Sequence, residues 1–126
     1  MKKNLSKYKN GMKTREEVLG RDYLSRVNQE VSEIDGSFQE LITEYAWGTV
    51  WSNDTLTKRE RSMLTIALLA AGGNLDELRL HIKACTNTKT SAQDMMEALM
   101  HVAIYAGVPK ANSAFKILKE EITDWD

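Results

Sequence analysis

The chain has 126 residues, 42% of them hydrophobic and 28% charged, with a formal net charge of -1. That length suits one domain, and the charge balance gives no reason to expect nucleic acid or an anionic membrane as partner. No segment is long and apolar enough to span a bilayer. Cys85 is the only cysteine, which rules out internal disulfides and zinc sites built on several cysteines. No apolar stretch follows Met1, so no secretory leader is expected and the cytoplasm is the expected compartment.

Residues 1–13, locally basic at Lys2, Lys3, Lys7 and Lys9, read as an N-terminal arm ahead of a single helical domain over 14–126. Helix start signals recur along that domain. Thr14 precedes Glu17 by three residues, and the same spacing pairs Ser37 with Glu40, Thr57 with Glu60 and Asn74 with Glu77. Ser91 with Asp94 is a weaker relative. Each pair resembles a capping box, in which the first side chain accepts from a backbone N–H and the acid reaches back. Gly48, Gly72-Gly73 and Gly107 read as stops, and Pro109, the only proline, sits where a first helical turn tolerates it. The pattern predicts an all-α fold of about six helices, near 14–30, 37–47, 57–71, 74–87, 91–106 and 109–122.

The helix over 57–71 carries Met63, Leu64, Ile66, Ala67, Leu68, Leu69, Ala70 and Ala71, apolar on every side. A helix of that kind must be covered all round. The helix over 91–106 is similar, with Met95, Met96, Ala98, Leu99, Met100, Val102, Ala103 and Ile104. Two such helices in so small a chain predict a homo-oligomer whose subunits complete the burial.

Chemistry-bearing residues are few. Phe38 to Trp51 sets Tyr45, Trp47 and Trp51 beside Glu40 and Glu44, the makings of a small pocket for a charged organic ligand, although rings at helical spacing are more often core. Asn74, Glu77 and His81 share one helix face, so Glu77 is placed to hold the His81 ring or raise its pKa, the arrangement of a general acid or base. The plain alternative is a surface Glu–His pair. Arg61 opens the apolar run and needs an anion, either Glu44 or a bound substrate. His101 reads as a satisfied core or interface residue and Cys85 as a small buried hydrophobe. The Tyr105–Pro109 turn is either a connection or a set of donors for an anion. Two histidines without convergent carboxylates make a catalytic metal unexpected.

Several runs together are similar to one family. They are Phe38-Gln-Glu-Leu-Ile-Thr-Glu-Tyr-Ala-Trp-Gly to Trp51, Arg59-x-Arg61-Ser-x-Leu-Thr65, Ala67-Leu-Leu-Ala-Ala71, Glu77-Leu-x-Leu-His81 and Val102-Ala-Ile-Tyr-Ala-Gly-Val-Pro109-x-Ala-Asn112-x-Ala-Phe115. Gly11-Met12, Arg15 and Val18-Leu-Gly20 also fit. In this collinear pattern the chain resembles the carboxymuconolactone decarboxylase family. The resemblance implies an alkyl hydroperoxide reductase D-like helical fold, assembled as a trimer or hexamer. It also implies cofactor-free decarboxylation of 4-carboxymuconolactone to 3-oxoadipate enol-lactone in protocatechuate catabolism.

Under that resemblance His81 is the general acid, Glu77 orients it and Arg61 serves the anionic substrate. Glu44, Trp47 and Trp51 line the pocket, and Tyr105 is an oxyanion candidate. The family's thiol peroxidases carry CxxCxxxH. Counted back from His81 its cysteines fall at Asn74 and Glu77, so the redox cycle does not carry over. Decarboxylases of the family usually place an arginine after Trp51, where this chain has Ser52-Asn53-Asp54-Thr55. An arginine there would suit a substrate with two carboxylates, so the change leaves another small carboxylated or lactone substrate as an alternative. A non-catalytic oligomeric binding protein is a third reading.

Overall fold

The structure, a computed structural model, describes residues 4–122. Every regular element among them is helical: α1 (Leu5–Leu19), α2 (Arg21–Glu30), α3 (Gly36–Ile42), a π-helix (Thr43–Val50), α4 (Lys58–Gly72), α5 (Leu75–Thr88), α6 (Ala92–Tyr105) and α7 (Val108–Glu121). These form two compact units, one ending at Thr57 and one beginning at Lys58.

The first unit departs most from expectation. Residues 1–3 of the expected arm lie outside the described residues, but from Leu5 the chain is helical. Asn4 caps α1, its Oδ1 accepting from the Lys7 N–H at 3.1 Å. Thr14, expected as a cap, is instead mid-helix and buried, with its hydroxyl 2.7 Å from that of Ser52. The helix expected over 14–30 is two helices, because Gly20 adopts φ +95°, a conformation closed to most side chains and incompatible with a continuing helix.

Gly48 does not end a helix. It lies within the π-helix, where α1 packs closely. A Cβ added at Gly48 would overlap the Lys7 carbonyl, and one added at Gly11 would overlap the Thr43 carbonyl. The two glycines therefore let the backbones of α1 and the π-helix touch. Bonds of the wider turn brace it: the Trp51 N–H donates to the Ala46 carbonyl at 2.9 Å, and the Ser52 hydroxyl to the Trp47 carbonyl at 2.6 Å.

In the second unit the predicted helices hold to within one or two residues at each start. Ile66 and Ala70 of α4, Leu78, Ile82 and Cys85 of α5, Met95, Leu99 and Val102 of α6 and Ala111, Ala114, Ile117 and Leu118 of α7 form one buried cluster. Ser91 and Asp94 make the full capping box that opens α6. Arg59 grips the same Asp94 with two hydrogen bonds, at 2.8 and 2.6 Å, and holds its carboxyl well below the usual range. The helices are not covered all round within one chain. Leu68 is 71% exposed and Ile104 78%, with Leu64 and Met100 also on the surface.

The glycine contact gives a direct test. Gly48→Ala should cost about 2 kcal/mol or more, since a methyl group forced against backbone has nowhere to go. Gly36→Ala, where an added Cβ meets nothing within 4 Å, should be neutral or stabilising. Urea midpoints at unchanged slope would check both. Equal midpoints for the two variants would contradict the close approach.

Candidate active site

The sequence-predicted residues divide between the units. Glu44, Trp47 and Trp51 all lie in or just after the π-helix and all are buried. The Trp47 and Trp51 rings stack with centroids 5.2 Å apart and planes 27° apart. Glu44 accepts from the Asn4 N–H at 3.1 Å, a bond that ties the start of α1 to the π-helix. The wider turn aims these side chains differently from an α-helix, and such turns recur at functional positions. Tyr45 points out to solvent.

On the second unit, His81 sits on α5 with Nδ1 sealed from solvent. Burial pushes its pKa down from 6.5 to about 4, because the charged ring loses hydration. His81 is therefore a neutral imidazole at pH 7. Glu77 lies one turn earlier but is exposed, forms no hydrogen bond or ion pair with His81 and does not contribute to the shift. Spacing put the two residues on one helix face, yet the structure does not bring their charged ends together. Arg61 is half-buried in the first turns of α4.

Tyr105 ends α6 and is 84% exposed, its ring stacked on His101 at 5.9 Å. The structure thus puts both aromatic side chains on the surface. His101 is an exposed residue, not a core one. Cys85 is buried, as expected. Burial pushes its thiol up to about 11, against the opposing hydrogen bonds of Thr90, Thr88 and Ser62. A thiol so protonated is a poor nucleophile at neutral pH.

Two cavities, of about 590 and 350 Å³, open elsewhere. The first is lined by Lys9, Lys13, Glu16 and Arg21 among others, the second by Cys85, Lys89 and Thr90 among others. Neither is lined by His81, Glu44, Trp47 or Trp51.

One residue of chemical interest was missed. Arg15 is only 6% exposed. Gly11, Thr14, Arg15 and Val18 form the buried stripe of α1, at i, i+3, i+4 and i+7. That stripe is visible in the sequence once α1 is allowed to begin before Thr14.

Comparison with known proteins bears on these residues. The model of the carboxymuconolactone decarboxylase family matches residues 36–120. A 4-carboxymuconolactone decarboxylase of Acinetobacter baylyi is 38% identical over 118 residues, covering 94% of this chain and 88% of that protein. The nitrosuccinic acid decarboxylase npaB of Metarhizium robertsii is 35% identical over 114 residues, covering 90% and 80%.

The state of His81 has a consequence for stability. An unfolded histidine takes up its proton near pH 6.5, whereas the folded one resists until about pH 4. Between those values the unfolded chain binds more protons, so this stability is present above pH 6.5 and lost as the pH falls toward 4. The loss should be on the order of 2–3 kcal/mol. Denaturant unfolding of the wild type and His81→Gln at pH 7 and pH 4.5 would measure it. The wild type should lose more stability than the variant, and equal losses would contradict a buried neutral ring.

Proposed function

Because the chain belongs to the carboxymuconolactone decarboxylase family, we propose that it is a decarboxylase of small organic acids whose own structure accepts the electrons of the broken bond. The observation that carries this reading is the similarity to two decarboxylases across nine-tenths or more of the chain. The first candidate reaction converts 4-carboxymuconolactone to 3-oxoadipate enol-lactone, in the cytoplasm, as a step of protocatechuate catabolism.

In such a reaction the carbon–carboxylate bond breaks, CO2 leaves, and the electron pair moves through the ring double bond onto the lactone carbonyl. A proton then returns to carbon. The substrate is its own electron sink, so the step needs no cofactor. The protein must hold the acid, stabilise the developing dienolate oxygen and supply one proton.

His81 is the residue proposed to supply that proton. It is neutral in the free protein, so it has no imidazolium proton to give before substrate arrives. A bound anion beside the ring favours the charged form, so substrate binding draws the proton in. The buried ring thus becomes an acid only when there is something to protonate. Arg61, half-buried on α4, serves the anionic substrate or its developing charge. Glu44 and Trp47 of the π-helix and Trp51 just after it are kept as proposed substrate-binding residues. Glu77, being exposed, is given no part in orienting the ring, and the surface position of Tyr105 removes the reason to make it an oxyanion donor in the single chain.

A second substrate is favoured by a specific finding, the similarity to a protein that acts on nitrosuccinic acid. In a nitro acid the nitro group takes the role of the lactone carbonyl as electron sink. The sequence Ser52-Asn53 after Trp51, where an arginine was expected, is compatible with such a change. Thiol peroxidase chemistry is disfavoured by the single buried, protonated thiol.

The reading includes a homo-oligomer, a trimer or hexamer. Leu64 and Leu68 on α4, with Met100 and Ile104 on α6, are the apolar side chains that a second copy would cover.

Two measurements test the proposal. Purified protein, without added metal or thiol, should convert freshly generated 4-carboxymuconolactone or nitrosuccinic acid with release of CO2. His81→Ala should reduce that turnover by about 10²-fold or more. No turnover of either acid, or near wild-type turnover by the variant, would contradict the proposal. Light scattering coupled to size-exclusion chromatography should give a multiple of the 14.3 kDa chain, and Leu68→Glu should shift it toward the monomer. A wild-type monomer would overturn the oligomer.

A further inference from the structure

Arg15 is a buried cation whose surroundings supply no counter-charge. Its Nη1 donates to Gln39 Oε1 at 3.1 Å and to Thr43 Oγ1 at 3.3 Å. Nε is sealed from solvent and hydrogen-bonded to nothing. Tyr8 and Tyr23 are the other groups whose field it feels. No carboxylate forms an ion pair with it among the described residues. Glu44 lies next to Thr43 in sequence, but its Oε1 takes the Asn4 N–H. The side chains that accept from Arg15 are thus an amide and a hydroxyl, both neutral.

A guanidinium stays protonated under such conditions, so the charge remains and must be compensated. Burying a charge without an opposite one is costly, and proteins retain such a group where something else completes it. The bonding of Arg15 shows which edge is left for this. Nη1 is committed to Gln39 and Thr43, which fix the plane of the guanidinium. Among the described residues the Nε–Nη2 edge donates to no protein acceptor. Those two N–H groups are parallel and match the two oxygens of one carboxylate. A phosphate would meet the same edge, but the choice of a carboxylate rests on the proposed decarboxylation of small polyacids.

We infer that the Nε–Nη2 edge of Arg15 is a carboxylate-binding position for a small dicarboxylic acid, held in plane by Gln39 and Thr43. Arg15 grips the carboxylate that remains on the substrate, so it sets affinity and selects acids with a second carboxylate. It takes no part in proton transfer. The neighbouring Thr43 opens the π-helix, so the residue that steadies Arg15 belongs to the element that carries Glu44, Trp47 and Trp51.

Succinate is a suitable probe, being a dicarboxylate without a leaving group activated by nitro or lactone. Isothermal titration calorimetry should show it binding the wild type, and binding Arg15→Gln at least about 10-fold more weakly. Arg15→Lys keeps the charge but loses the fork, so it should fall between the two. Circular dichroism checks that each variant is folded. On an acid that turns over, Arg15→Gln should raise KM about 10- to 100-fold while kcat changes much less, the pattern of a group that grips without reacting. A merely structural role would not split the constants in this way.

The inference is overturned if the wild type does not bind succinate, or if either folded variant binds it as tightly as the wild type. It is also overturned if both variants fail to fold, since Arg15 would then be a structural tie. Succinate binding that depends on Arg15, without turnover of any acid, would sink the decarboxylase reading and leave this one standing. Turnover with an unchanged KM in Arg15→Gln would do the reverse.

Discussion

The N-terminal unit depends on a backbone approach that only glycine permits. Gly11 of α1 faces the Thr43 carbonyl, and Gly48 faces the Lys7 carbonyl, so neither helix has a side chain between them. The π-helix is bound up with that contact. Its wider turn carries one more residue than an α-turn over the same path, which shifts Glu44, Trp47 and Trp51 around the axis. The Asn4 N–H to Glu44 bond and the Thr14–Ser52 hydroxyl pair then fasten the start and the middle of α1 to the same segment. A larger residue at either glycine would separate the backbones and loosen all three side chains together.

Desolvation is what gives the second unit its chemical character. His81 and Cys85 lie one turn apart on α5, and both are driven to their neutral forms by burial. For the thiol this means inertness. For the imidazole it means a ring that is neutral in the free protein, which the proposed acid role requires to take up a proton together with a bound anion. Arg15 cannot respond in that way, because a guanidinium does not give up its proton at neutral pH. One buried group is therefore neutral and able to become charged, and the other is charged and able to be compensated.

Much of the second unit was legible in the sequence, and the reasons are local. Gly72-Gly73 and Gly107 do stand at helix ends, and Pro109 does open α7. The capping box judged weakest, Ser91 with Asp94, is fully formed, while Thr14 and Asn74 do not cap through their side chains. A capping motif offers a bond that tertiary packing can redirect, and Thr14 shows this by turning its hydroxyl to Ser52. The first unit was harder. A π-turn has no repeating sequence signature, so Gly48 read as a stop when its purpose is to admit another backbone. Lysines along residues 2–9 suggested an arm, whereas Lys7 and Lys9 lie on the exposed side of α1, whose other side carries Gly11 and Arg15.

The candidate site was legible in identity more than in state. His81 was found from its place on a helix face, but its protonation depends on burial, which spacing cannot report. Glu77 shows the limit of the same reasoning, since i and i+4 share a face without touching. Tyr105 was read from a turn motif and stands on the surface. Arg15 was recognised only as part of a resemblance, because its burial depends on contacts with Gln39 and Thr43 at the far end of a long sequence separation.

The most direct test of the central claim is the titration of the His81 ring by nitrogen NMR, with and without a nonreactive carboxylate analogue of the substrate. His101 is the only other histidine, so His81→Gln assigns the signals. The account predicts a neutral ring at pH 7 in the free protein, titrating near pH 4, and a pKa raised by at least about one unit when the analogue is bound. A ring already charged at pH 7 in the free protein, or one whose titration is unmoved by a bound analogue, would contradict it.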